Sequence, residues 1–342
     1  MTFPWESSLP MSALVGVIAL AVLILSADEA VKRFIGLADY FGFSTTFVGM
    51  TVMSLATSIP EISAHLTASG GILTGHLDYH SASAIVLGAN IGSDVVQQTL
   101  ILVLVVFSAG TLYFKRHFLI KNLVPMIGTT LMCIVLGLDQ TYSRVDGLIL
   151  FGTFLVYTYY LYRDDRKYRT DEVKGDECGD KPRSSREAWI HASVALGAMV
   201  ATLLSASLVL NITQGVVEAT GVGGSIIGVV TLGIASALPE LMTAICGIKN
   251  KEHGISLGTL IGSNITNPLV AIGGGALVST YWVPRPLIMW DLPWETLTGL
   301  VLLGILWFKN GKLGRKASIY LMGLYVAYLF FRATWFSSDL YV

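Results

Sequence analysis

The chain has 342 residues, of which 53% are hydrophobic and only 13% charged, and apolar runs of about twenty residues recur from end to end, the signature of membrane-spanning helices. A formal net charge of −1, from 22 Lys and Arg against 23 Asp and Glu, gives no overall field that would draw nucleic acid or an acidic partner. The three cysteines, Cys133, Cys178 and Cys246, have neither metal nor disulfide spacing and read as two apolar core residues and one loop thiol.

The opening "MTFPWESSLP" lacks the basic stretch of a secretory signal, so the first apolar run is expected to be a retained helix. In chain order the apolar runs predict spans at 11–33, 44–71, 81–109, 117–138, 145–163, 188–211, 222–248, 254–281, 289–308 and 315–335. The expected fold is therefore an all-α polytopic membrane protein with ten transmembrane helices. Basic residues gather at Lys32/Arg33, Lys115/Arg116/Lys121, Arg163 to Arg186, Lys249/Lys251 and Lys309 to Lys316, while the alternate connections hold only Arg144, Arg285 and Arg332. The positive-inside rule then puts both termini outside, in the cell membrane. The hydrophilic stretch from Arg163 has mixed charges with Gly and Pro, which predicts a solvated cytoplasmic linker, 164–187, between a first five-helix repeat, 1–163, and a second, 188–342. Two tandem halves with an odd number of spans each must enter the membrane with opposite topology.

The halves can be aligned without gaps. "SADEAVKRFIGLADYFGFSTTFVGMTVMSLATSIPE" from Ser26 matches "SASLVLNITQGVVEATGVGGSIIGVVTLGIASALPE" from Ser205, sharing Gly36/Gly215, Gly42/Gly221, Gly49/Gly228, Ala56/Ala235, Pro60/Pro239 and Glu61/Glu240. A second block follows in each half, "LGANIGSDVVQ" from Leu87 and "LGTLIGSNITN" from Leu257, with the frame LGxxIGS. Inverted repeats of this kind typify secondary transporters, whose substrate site lies at the repeat interface near the bilayer midplane.

A proline before a glutamate inside an apolar run has a physical use. Pro60 has no N–H for the carbonyl of Ala56 and disturbs the next turn, releasing backbone oxygens of Ala56 and Thr57, and Pro239 does the same for Ala235 and Ser236. Helical spacing puts Ser54, Thr57, Ser58 and Glu61 on one face. Ser236 and Glu240 mirror them, while Gly233 and Ala237 leave the second half with fewer hydroxyls. Ser93 and Gln97, like Ser263 and Asn267, lie one turn apart and add neutral oxygens, and Gly88, Gly92, Gly258 and Gly262 allow close helix approach. A buried carboxylate costs on the order of 3 kcal/mol at a helix centre, so two of them need a cation. Calcium, which takes 6–8 oxygens at ~2.3–2.6 Å, fits this donor set better than magnesium.

These motifs resemble those of the sodium/calcium exchanger branch of the cation/calcium antiporter superfamily, over nearly the whole chain. The resemblance implies an alternating-access antiporter that exports calcium against a monovalent cation. It makes Glu61 and Glu240 the central ligands, gives calcium the carbonyls of Thr57 and Ser236, and uses Ser58, Ser93 and Ser263 for coupling ions. Gln97 and Asn267 stand where that branch usually has Asn and Asp, and Asp94 where it has a structural Asn. The Gln matches calcium/proton exchangers, whereas the proline-glutamate segments are of the sodium-dependent type. The candidate metal site is therefore Glu61, Glu240, Thr57, Ser236, Ser54, Ser58, Ser93, Gln97, Ser263, Asn267 and Gly233, with calcium and sodium (or proton) as transported ions and no cofactor.

Asp28 and Glu29 each precede a basic residue by four positions, Lys32 and Arg33, and are expected to pair locally. Asp94 is compatible with cation or proton binding or with a structural role. His65, one turn beyond Glu61, is expected to pack or bond a carbonyl. An intramembrane enzyme is disfavoured because Ser58 and His65 do not share a face well and no His-Glu-x-x-His occurs. A retinal protein would need a mid-span Lys, which is missing, whereas a channel remains a rival because it too needs a polar path.

Overall fold

The computed structural model describes residues 9–169, 181–220, 224–249, 253–337 and 339. It is mostly helical, and among the described residues seven helices are long and apolar enough to cross a membrane: Tyr79–Ala109, Arg116–Leu136, Arg144–Asp165, Gly228–Ile245, His253–Val278, Leu287–Phe308 and Arg315–Trp335. Thr46–Thr57 and Ile59–Leu73, bent by 45° at their junction, make an eighth if counted as one span. These eight coincide with eight of the predicted runs. Helices Leu9–Phe41 and Ser185–Thr220 cover the predicted first and sixth runs and pack against each other.

Helix Arg144–Arg169 continues past its apolar run and the next helix begins at Ser185, so both run into the hydrophilic stretch 164–187; Arg and Lys in "RDDRKYR" are good helix formers. Residues 170–180 and Cys178 lie outside the described residues.

Burial ranks the helices. In His253–Val278 94% of the most apolar window is buried and in Tyr79–Ala109 78%, against 22% in Arg144–Asp165 and 28% in Arg315–Trp335. The runs carrying the two LGxxIGS blocks are thus the central ones. Glycine allows this: a Cβ at Gly228 would stand 2.5 Å from the oxygen of Ile85 and 3.0 Å from the carbonyl carbon of Gly88, and one at Gly49 would stand 3.0 Å from the Cα of Gly258. Backbone meets backbone at both crossings, as small residues permit in a bilayer.

The irregularities recur at matched places. Single π-helical stretches run over Gly49–Met53 and Gly228–Leu232, over Gln97–Ile101 and Asn267–Ile272, and over Leu119–Leu123 and Leu287–Asp291. Breaks follow the first pair, at Ser58 (φ −81°, ψ 5°) and Ala237 (φ −80°, ψ −2°). Pro60 and Pro239 each sit in the first turn of the half-helix after the break, where a missing N–H costs nothing. Among the described residues there are four short strands: β1 Thr111–Tyr113 pairs with β4 Lys312–Gly314, and β2 Thr141–Tyr142 with β3 Tyr281–Trp282, both antiparallel.

Candidate cation site

Glu61 and Glu240 occupy the first turns of half-helices Ile59–Leu73 and Leu238–Lys249. A helix N-terminus favours an anion there, so the two breaks place a carboxylate where the local dipole offsets part of its burial. That burial is nearly complete, 3% exposure for Glu61 and 0% for Glu240, and the carboxylates are close enough to interact electrostatically. Among the described residues neither forms a salt bridge.

The hydroxyls around them cross between the two motifs. Ser93 Oγ donates to Glu61 Oε1 at 3.1 Å and Ser236 stands beside the same carboxylate. Thr57 and Ser263 stand beside Glu240, their hydroxyls 3.2 Å apart. Even so, Glu61 Oε2, both oxygens of Glu240, Ser58 Oγ and Asn267 Oδ1 are buried without a hydrogen-bond partner. Buried polar groups are normally satisfied, and these five oxygens can be satisfied by a hydrogen-bond donor or by a positive charge. No group of three His, Cys, Asp or Glu side chains converges among the described residues; two carboxylates among neutral oxygens are a combination that suits a hard cation. A cavity of about 30 Å³, large enough for a water, touches Glu61, His65, Asn90 and Ser236 among apolar side chains such as Leu23, Val86 and Leu232, and does not reach Glu240.

The remaining candidates fall into clear places. Ser54 Oγ is engaged by the oxygens of Met50 (2.9 Å) and Thr51 (3.1 Å) and by Thr266 Oγ1 (3.1 Å). Gly233, its match, lies where a Cβ would stand 2.8 Å from both Gly92 C and Ser93 N; a serine does not fit, which explains the missing hydroxyl and brings Ser93 close. Gln97 Nε2 donates to Ser93 Oγ at 3.1 Å while its Oε1 accepts from Asn264 Nδ2 at 3.0 Å. Asn267 Nδ2 donates to Asp94 Oδ1 at 2.6 Å. His65 stacks edge-on against Tyr281, 3.2 Å from its hydroxyl, rather than bonding as a base to Ser58. Glu29 pairs with Arg33 at 2.8 Å; the side chain of Asp28 lies outside the described residues.

Sequence reasoning missed a second polar layer. Gln98 Nε2 donates to Asn264 Oδ1 at 2.8 Å and reaches Glu295 Oε1 at 3.5 Å, which also takes the hydroxyl of Thr130 at 2.6 Å. Arg332, counted above with the outer connections, is instead fully buried in an ion pair with Asp291, 2.9 Å away and equally buried. A guanidinium near the end of a span either reaches water or finds a counter-ion, and here Asp291 is nearer. The signal was available, since Asp291 and Glu295 fall inside the predicted span 289–308 and an intramembrane carboxylate always calls for a partner.

The model of the family described as sodium/calcium exchanger protein matches residues 11–163 and 190–334. Inner membrane protein YrbG of Escherichia coli (strain K12) is 24% identical over 92% of this chain and 94% of its own. The sodium/calcium exchanger MaX1 of Methanosarcina acetivorans is 22% identical over 92% of this chain and 97% of its own, and the putative antiporter CaxA of Alkalimonas amylolytica 26% identical over 77% and 79%. Among solved structures, the sodium-calcium exchanger NCX_Mj in a crystal soaked with Na⁺ and Sr²⁺ superposes with a TM-score of 0.70 at 21% identity, covering 96% of this chain and 99% of that one, which establishes a common fold. With a family match over both long stretches of the sequence, the chain belongs to the sodium/calcium exchanger protein family.

Proposed function

We propose that this protein is a secondary active antiporter that exchanges calcium for sodium across the cell membrane by alternating access. Its ten helices form two inverted five-helix repeats, residues 1–163 and 188–342, joined by the cytoplasmic linker 164–187, with both termini outside. The recurrence of π-helical stretches, breaks and strand pairs at matched positions supports that architecture, as does the crossed set of hydroxyls around Glu61 and Glu240. One observation carries the functional reading: two buried carboxylates at half-helix N-termini keep three of their four oxygens unpartnered, and among the described residues no basic side chain pairs with them. Glu61 and Glu240 are the central ligands, with the released carbonyls of Thr57 and Ser236 and the hydroxyls of Ser58, Ser93 and Ser263 completing sites for calcium or for the ions that replace it.

A calcium/proton antiporter is the second reading, and the Gln97 corner favours it. The amide of Gln97 donates to Ser93 Oγ, occupying a lone pair that a sodium ion would otherwise take. Vesicles loaded with calcium and given either a sodium gradient at fixed pH or a pH gradient without sodium decide between them. Release driven by sodium supports the first reading; release driven only by the pH gradient overturns it. Recording membrane potential in the same assay gives the stoichiometry, because a third sodium per calcium moves net charge worth about 2.3 kcal/mol per 100 mV.

A further inference from the structure

We propose that Asp94 is a positioning residue that turns the carbonyl oxygen of Asn267 into the cation site, so that the two matched amide positions, Gln97 and Asn267, present opposite faces to the centre. The inference rests on the cation-site reading above and assigns its ligands more narrowly.

The direction of each hydrogen bond carries it. At the 2.6 Å contact between the two side chains, Asn267 Nδ2 donates and Asp94 Oδ1 accepts. The Asn267 oxygen is thereby turned away from Asp94, and it is one of the buried atoms without a partner. Asn267 lies one turn beyond Ser263, which stands beside Glu240, so this oxygen belongs to the half of the centre where both Glu240 oxygens are also unpartnered.

The matched corner is wired in reverse. Asn264 follows the second LGxxIGS block as Asp94 follows the first. Its side chain lies 2.7 Å from the main-chain oxygen of Leu260, a group that only accepts, so its NH₂ is fixed there and donates its other hydrogen to Gln97 Oε1 at 3.0 Å. Gln97 must then turn its own NH₂ to Ser93 at 3.1 Å, and Ser93 donates to Glu61 Oε1 at 3.1 Å. One corner ends in a train of donors closing on Glu61. The other ends in a free oxygen. In this arrangement Asn267 offers its oxygen to the cation beside the two glutamates, whereas Gln97 orients Ser93 without touching the cation.

The test uses the full-length protein in detergent, with equilibrium binding of radiolabelled calcium and a thermal melt to verify folding. Asp94→Leu and Asn267→Leu are each expected to weaken calcium binding about 10–100-fold, the usual loss when a partner that orients a ligand is removed. The double variant should bind no more weakly than the worse single one, because Asp94 acts through Asn267. Exchanging the pair, Asp94→Asn with Asn267→Asp, should restore most of the binding, since the new Asn can donate to the new carboxylate and leave its second oxygen in the site. Additive losses in the double variant, or no rescue by the exchange, overturn the inference. Calcium bound by the parent and equally well by Asp94→Leu overturns it while leaving the proposed function standing; a parent that binds no calcium overturns the proposed function itself and this inference with it.

Discussion

Removing one partner of the Asp291–Arg332 pair is expected to be far more damaging than removing both. Asp291 accepts from Arg332 Nε at 3.0 and 2.9 Å and from the Tyr328 hydroxyl at 2.6 Å, and Arg332 Nη2 donates to Ser225 Oγ at 2.6 Å. Both ions are 0% exposed. Asp291→Leu leaves a guanidinium with no counter-ion in contact, and Arg332→Leu leaves a carboxylate holding only a tyrosine; either should cost about 3–5 kcal/mol. The double change to leucine removes both charges and replaces them with lipid-compatible volume, so its cost should be smaller than either single cost. Thermal unfolding of detergent-purified protein measures this, with single-variant melting points lowered on the order of 10 °C. Two single losses that simply add in the double variant would refute the reasoning, since an intact pair must show coupling.

Three further outcomes follow from the geometry. Glu61→Gln and Glu240→Gln should each lower calcium flux into vesicles at least about 100-fold, ~2.7 kcal/mol, with a near-parental melt; near-normal flux in either would remove that residue from the site. Gly228→Ala and Gly49→Ala insert a Cβ 2.5 Å from Ile85 O and 2.9 Å from Gly254 O respectively, and because backbone cannot step aside each should destabilise by about 1–3 kcal/mol or more in the same melt. Asp78, outside the spans, caps helix Tyr79–Val96 by accepting from Ser81 N at 2.8 Å, and the Ser81 amide and hydroxyl hold its carboxyl below the usual range. A lowered folded-state value means stability present at neutral pH and lost as pH falls through that value, so Asp78→Ala should cost about 1 kcal/mol at pH 7 and progressively less below pH ~4.

The helix breaks that frame the candidate site were legible because a few residue types leave little choice. Pro60 and Pro239 break a helix wherever they stand one turn inside it, and a glutamate that follows must sit at the new N-terminus; the breaks at Ser58 and Ala237 lie where the two prolines put them. The apolar runs predicted the eight described spans for an equally simple reason, the thickness of the bilayer. What the sequence did not disclose was direction and partnership. Nothing in "GSDVVQQ" says that Gln97 turns its amide to Ser93 while Gln98 turns its own to Asn264, because that depends on which acceptor stands across the helix interface. Arg332 was misjudged for the same reason, since hydropathy counts a charge near a span end without knowing that Asp291 lies opposite. The π-helical stretches were also invisible: one extra residue in a turn rotates the following face by about 100°, a shift of phase that does not register in runs apolar on nearly every face.

The strand pairs have a consequence for how the protein is made. β1 leaves the ribosome early, yet its only described partner strand, β4, is some two hundred residues further along, a wait of roughly 10–40 s at ordinary elongation rates. Over the same interval Gly88 and Gly92 lack the backbone of Ser225 and Val229 against which they close, and Glu61 lacks Ser236. The newly inserted amino-terminal half is therefore an unfinished intermediate, with polar atoms and strand edges open to chaperones, proteases and other nascent chains until the carboxyl-terminal half arrives to be threaded against it.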